Sequence, residues 1–131
     1  MTAREKFDAR RLNERARPAF VGLAAVLRDQ YDTGQIPTLF LPFEGYRSPE
    51  RQNYLFTVEK TTKARAFQSP HQYGLAVDFV PFVNGRWSWD ESHAWEALAF
   101  LANQRGLMTP IKWDRPHVEH PIWTAIKSQV V

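Results

Sequence analysis

The apolar positions of this chain recur with two spacings, one near 3.6 residues and one of two, and they change over at Gly and Pro. Phe7, Leu12, Phe20, Leu23, Val26 or Leu27 and Tyr31 form a helical stripe over residues 4–30. It is broken near Pro18, which suits the first turn of a second helix because its missing N–H is not needed there. Asp32-Thr-Gly34-Gln ends that helix. Thr38-Leu-Phe-Leu-Pro-Phe43 predicts a short strand interrupted or edged by Pro42, and Ser48-Pro-Glu-Arg51 supplies the cap, first-turn proline and N3 side chain of a helix running to about Lys60. Residues 61–73 are a polar connection without firm periodicity. From Gly74 to Val80 the chain alternates, with Leu75, Val77 and Phe79 on one face of a strand and Ala76 and Asp78 on the other. Val83-Asn-Gly-Arg86 signals a tight turn into Trp87-Ser-Trp89. Asp90-Glu-Ser-His93 precedes a helix to about Gln104, whose buried stripe is Trp95, Leu98, Ala99, Leu101 and Ala102 and whose stop is Gly106. Leu107-Met108 and His117-Val118 are strand-like, and Pro121 to Val130 predicts a last short helix. This order implies an α+β fold, a small antiparallel sheet packed with helices.

Composition narrows the picture. With 131 residues, 44% hydrophobic content, nine Phe and five Trp, one sizeable core is expected and hardly two, so residues 1–131 read as a single domain. There is no internal repeat, low-complexity run or interdomain linker. The net charge of +3 and a pI near 9.4 favour an anionic surface, whether nucleic acid, acidic lipid or wall polymer, but so small an excess changes encounter rates more than it names a partner. The absence of cysteine excludes disulfides, thiol nucleophiles, cysteine zinc fingers and iron–sulfur clusters. The charged start, Met1-Thr-Ala-Arg-Glu-Lys, has no apolar segment, and no run approaches the roughly 18 residues of a membrane span. The expectation is cytoplasmic synthesis without a signal peptide and no stable membrane insertion, so that an external substrate would require some other means of release.

The chemistry concentrates in His71, Asp78, Asp114 and His117. Asp78 lies opposite the core face of its strand, where a buried carboxylate needs a partner, and a metal is the strongest one. Two neutral imidazoles and one carboxylate suit Zn²⁺ and leave a fourth position for water, as in catalytic zinc sites. Taken alone, His71 is more simply a loop histidine, and Asp114-Arg-Pro-His117 a cap with an aromatic neighbour. Together with Asp78 they favour His117 as a ligand and Asp114 as the group that handles water, with Trp113 bordering the substrate and excluding bulk water. Glu119 is a rival base and His120 a rival ligand. On an extended strand His117 and Glu119 share a face and His120 points away, which favours His117. No His-Glu-x-x-His helix is present. Arg47 suits an oxyanion or a substrate carboxylate, and equally a loop arginine paired with Glu44 or Glu50. Ser69 can donate to substrate, although a turn serine is the simpler reading.

Gly45-Tyr-Arg47-Ser-Pro-Glu-Arg-Gln52, Ser69-Pro-His71-Gln-Tyr-Gly74-Leu-Ala-Val-Asp78 and Trp113-Asp114-Arg-Pro-His117 resemble, in order, the three motifs of the LAS-type D,D- and L,D-peptidases, the VanY-like and endolysin-like zinc peptidases of the M15 family. The resemblance implies that His71, Asp78 and His117 bind Zn²⁺, that Asp114 is the base, that Arg47 lies beside the scissile carbonyl and that Ser69 helps hold substrate. It also implies a LAS-type fold and bacterial peptidoglycan stem peptides as substrate. An aspartate at the base position tilts the reading toward the phage endolysin, L-alanyl-D-glutamate peptidase branch, acting after holin release. The alternatives are a D-alanyl-D-alanine carboxypeptidase and a noncatalytic, zinc-containing wall-binding protein. Val118 departs from the usual aromatic after Pro-His, and no separate wall-binding module is expected. The enzyme is expected to be a monomer. A nucleic-acid module built on Arg4, Arg10, Arg11, Arg15 and Arg17 is disfavoured by the acids interleaved among them. Endopeptidase or carboxypeptidase action depends on whether the loops at 61–70 and 81–90 close the cleft.

Overall fold

Pro18 decides where the first long helix begins, since a helix cannot run through a residue that lacks the N–H and crowds the carbonyl one turn earlier. In the computed structural model, which describes residue 4 and residues 6–60, 62 and 64–130, helix α1 spans Arg17–Asp32 with Pro18 in its first turn. The helix expected from residue 4 is therefore shorter than its stripe. Among the described residues before α1 lies a 3₁₀ turn, Ala9–Arg11, capped by the Asp8 side chain, and Leu12 reaches the core from non-helical chain. Arg17 ties off this segment through the carbonyls of Ala9 and Leu12.

Strand β1 (Phe40–Glu44) pairs antiparallel with β2 (Ala76–Val83), but its register slips between Pro42 and Glu44. Pro42 cannot donate to a ladder, and a bulge at a strand margin is where a proline is tolerated. The bulge places Glu44 opposite Asp78. Helix α2 (Pro49–Tyr54) starts as its sequence dictates: the Ser48 hydroxyl accepts from Arg51 N at 3.1 Å. The helix expected to reach Lys60 widens into a π turn over Leu55–Glu59, and Lys60 ends it in the left-handed region. A 3₁₀ turn, Pro70–Tyr73, leads into β2. Asn84 and Gly85, at φ 51° and 77°, close the expected hairpin to β3 (Arg86–Trp87).

Helix α3 (Trp95–Gln104) buries Trp95, Leu98, Leu101 and Ala102, whereas Ala99, expected in the stripe, is half-buried at its margin. Strand β4 (His117–Glu119) pairs antiparallel with β2, and α4 (Ile122–Val130) follows. Asp78 is matched to Glu44 on β1 and to His117 on β4, so β2 is central and these three polar residues form a row across the sheet. On the opposite face Val77 and Phe79 join Leu75, Val118 and Trp123 against Phe20, Leu23 and Leu27 of α1 and Trp95, Leu98 and Leu101 of α3. Full burial of a side chain such as Phe79 contributes roughly 1.5–3 kcal/mol, which anchors the strand whose other face carries Asp78. The α+β class, with its small antiparallel sheet, is the one the apolar pattern implies.

Four of the five arginines weighed for nucleic acid have partners within the chain. Arg10 pairs with Asp8 at 3.0 Å, Arg17 binds backbone carbonyls, and Arg4 and Arg11 each lie 4.3 Å over the rings of Phe43 and Tyr46. Among the described residues no helix is long and apolar enough to cross a membrane.

Candidate active site

Each of the three candidate ligands is positioned by a different local device. His71 sits in the 3₁₀ turn after Ser69, whose hydroxyl accepts from His71 N at 3.2 Å, and the turn is closed by Gly74 at φ 67°. Gly74 has a second reason to be glycine: a Cβ there would lie 2.4 Å from Asn13 N, the same N–H that bonds Gly74 O at 2.9 Å. Asp78 is presented by the alternation of β2. His117 is brought beside it by the register of β4.

The result is a tight group. One ligand atom from each of His71, Asp78 and His117 lies within 4.8 Å of the others. His71 Nε2 is 3.3 Å and His117 Nδ1 3.5 Å from the same oxygen, Asp78 Oδ1. Both separations exceed the 2.7–2.9 Å or so of a charge-assisted hydrogen bond, and Asp78 Oδ1 is buried without a hydrogen-bond partner.

The remaining ring nitrogens explain why. His71 Nδ1 lies 2.7 Å from the carbonyl of Gly45, which can only accept, so Nδ1 carries the proton and Nε2 a lone pair. His117 Nε2 lies 2.8 Å from Glu119 Oε1 and donates to it, which leaves Nδ1 facing Asp78. Two imidazole lone pairs and a carboxylate oxygen thus converge in a buried space with nothing positive between them. Such a donor set fits a divalent cation of borderline hardness, Zn²⁺ above all, and leaves room for a further ligand. Without a cation the site must hold protons instead. Burial alone would lower His117, but Asp78 and Glu119 outweigh it and push its pKa up to about 9. Burial likewise acts to raise Asp78, yet His71, His117 and Arg47 hold it well below the ordinary carboxylate range.

Asp78 Oδ2 is fixed by Arg47 Nη2 at 3.2 Å. The guanidinium is itself held by Glu44 Oε1 at 3.1 Å and Gln52 Oε1 at 2.8 Å, while its Nε is buried without a partner. The pairing with Glu44 weighed from the sequence is therefore real, and it coexists with a place in the site. Gln72 Nε2 bonds Arg47 O and Gln52 Oε1, completing a buried network. Gln52, Gln72 and the Gly45 carbonyl were not singled out from the sequence. Their partners lie at separations from 5 to 26 residues that follow no helix or strand period, so no local signal marks them.

A cavity of about 930 Å³ runs over this group, lined by Arg47, Ser69, Trp113 and Asp114 among others. Asp114 is half-buried there, and burial, followed by the charge of Asp78, raises its carboxyl above the usual range against the opposing pull of His117, His71 and Arg47. Trp113 is 62% exposed, so its indole borders the mouth rather than sealing it from water. Ser69 serves as a cap and also lines the cavity. His120 stands apart: its Nδ1 accepts from Ile122 N at 3.1 Å at the start of α4, outside the ligand group.

Residues 62–120, the stretch that carries His71, Asp78, Asp114 and His117, match a family model described as D-alanyl-D-alanine carboxypeptidase. In three dimensions the chain is similar to the L-Ala D-Glu endopeptidase ChiX of Serratia marcescens, with a TM-score of 0.63 at 20% identity, over 97% of this chain and 92% of that one. No curated protein matches the sequence. The structural likeness establishes the shared fold.

Proposed function

The resemblance to the M15 peptidases is borne out by the family match over the site-bearing segment and by the shared fold, and from that premise we propose that this chain is a zinc peptidase of bacterial peptidoglycan that cuts the L-alanyl-D-glutamate bond of stem peptides. The observation that carries the reading is the orphaned Asp78 Oδ1 between two imidazole lone pairs. His71, Asp78 and His117 would hold the metal. Bound there, Zn²⁺ supplies a Lewis acid for the scissile carbonyl and for water. Asp114 takes the proton of the attacking water and returns it to the departing amine, a task its raised pKa suits. Arg47 steadies Asp78 and, lining the cavity beside it, supplies positive charge for the developing oxyanion. Ser69 and Trp113 border the bound peptide.

The cavity supports an internal cut. Its lining includes Phe43 and Trp89 near β1 and Trp123 and Lys127 of α4, side chains that a peptide continuing past the scissile bond would meet. A role as a phage-type endolysin goes with this reading, and the net charge of +3 favours approach to an anionic wall. The second reading, release of the terminal D-alanine, is favoured by the description of the family model. A stem peptide acetylated on its L-alanine and ending in D-Ala-D-Ala separates them, because the two cuts give products of different mass. The zinc-loaded protein should release acetyl-L-alanine. Release of D-alanine instead would make it a carboxypeptidase, and an intact peptide would refute hydrolysis of either bond.

A further inference from the structure

Glu119 is a buried carboxylate, 6% exposed, to which the proposed hydrolysis assigns no part. The alternation of β4 sets it on the same face as His117, and Oε1 lies 2.8 Å from His117 Nε2, the length of a charge-assisted bond. Its backbone is held on both sides. Ala76 of β2 is its register partner on one side, and on the other Met108 exchanges two hydrogen bonds of 2.8 Å with it. Ala76 shares the face of Asp78 and places a methyl group beside Glu119 on the β2 side. With one oxygen committed to His117, Glu119 is also poorly placed to be the base, the part for which the sequence made it a rival of Asp114.

We propose that Glu119 is a positioning residue: it holds the proton of His117 on Nε2 and so presents Nδ1 as the ligand atom, raising the basicity of that nitrogen toward a bound cation. This rests on the metal reading above. A histidine ligand whose second nitrogen has no fixed acceptor can carry its proton on either nitrogen and rotate, and outer partners of this type govern metal affinity. The two imidazoles are then held unequally, His71 by a neutral carbonyl and His117 by an anion.

The test measures zinc affinity by chelator competition in the wild type, Glu119→Ala and Glu119→Gln, with long-range ¹H–¹⁵N spectra of the zinc-loaded wild type. Glu119→Ala should weaken zinc binding about 10–100-fold. Glu119→Gln, whose amide oxygen still accepts from Nε2–H, should recover much of the loss, whereas Glu119→Met, measured beside it, fills the same space without an acceptor and should not; equal recovery in both would reduce Glu119 to a space-filling role. The spectra should place the proton on Nε2 and the metal on Nδ1 of His117. Wild-type affinity in Glu119→Ala, or a proton on Nδ1, overturns the inference. If Glu119→Ala fails to fold, the wild-type spectra decide alone. A wild type that takes up no stoichiometric zinc overturns the metal reading itself and this inference with it.

Discussion

At Asp78 three acceptors meet, and the predictions at the scale of single residues follow from what must sit among them. In the metal-free protein a proton on His117 takes the place of a cation, which is why that imidazole is held up to about 9 against the opposing effect of burial. A histidine pKa raised on folding stabilises in full below its unfolded value of about 6.5, and the contribution is lost as pH rises through the folded value. The chelated protein should therefore lose thermal stability between pH 6.5 and about 9, and zinc, which occupies the same nitrogen, should remove that slope. A flat profile for the chelated protein would contradict the assignment. Asp114→Ala should cost about 10²–10⁴-fold in turnover while zinc content by elemental analysis stays unchanged. Retained turnover would return Glu119 to consideration as the base. His71→Ala should lose zinc and activity together, and full metal content in that variant would remove His71 from the ligand set. These residues were legible in the sequence because each belongs to a short motif. The outer partner of His71 was not: the Gly45 carbonyl that orients it is 26 positions away, and a backbone carbonyl leaves no mark in the sequence.

At the scale of elements, the site depends on turns and register more than on any long element. Gly74 lets the 3₁₀ turn end at φ 67° against the backbone of Leu12 and Asn13. Gly74→Ala should cost roughly 1–3 kcal/mol from the left-handed backbone alone, with a further penalty from the contact with Asn13 N, read as a lowered midpoint in urea unfolding and weaker zinc binding. An unchanged midpoint would mean that the turn can shift without moving His71. Strand β2 was legible from its alternation, because one face is committed to the core and the other is not. The bulge in β1 was foreshadowed by Pro42. The early end of the stripe before α1 was less so: Phe7 and Leu12 pack inward from irregular chain, and apolar spacing alone cannot distinguish such a segment from a helix. The widened turn at Leu55–Glu59 has no counterpart in propensity or spacing.

Over the whole molecule, one hydrophobic cluster beneath β2 supports one polar row above it, so binding at the row should be felt by the entire fold. Free zinc at 100 times its dissociation constant adds about 2.7 kcal/mol to the stability of the folded state, a rise in Tm on the order of 10 °C for a chain of this size. Differential scanning calorimetry should show that rise in the wild type and its absence in Asp78→Ala. The fold class was readable in advance, and so were the candidates His71, Asp78, Asp114 and His117 that the fold brings around one cavity, since alternation and motif are local. Of the buried network around Arg47 only the pairing with Glu44 was weighed in advance; Gln52 and Gln72 were not, because they join it only when β1, α2 and the 3₁₀ turn pack together. The most direct test of the central claim is digestion of purified peptidoglycan, followed by mass spectrometry of the released fragments, with zinc-loaded, chelated and Asp114→Ala protein side by side. New peptide termini with the zinc-loaded wild type alone are predicted. Unchanged peptidoglycan with stoichiometrically bound zinc, or equal cleavage by all three samples, would contradict a metal-dependent peptidase built on His71, Asp78 and His117.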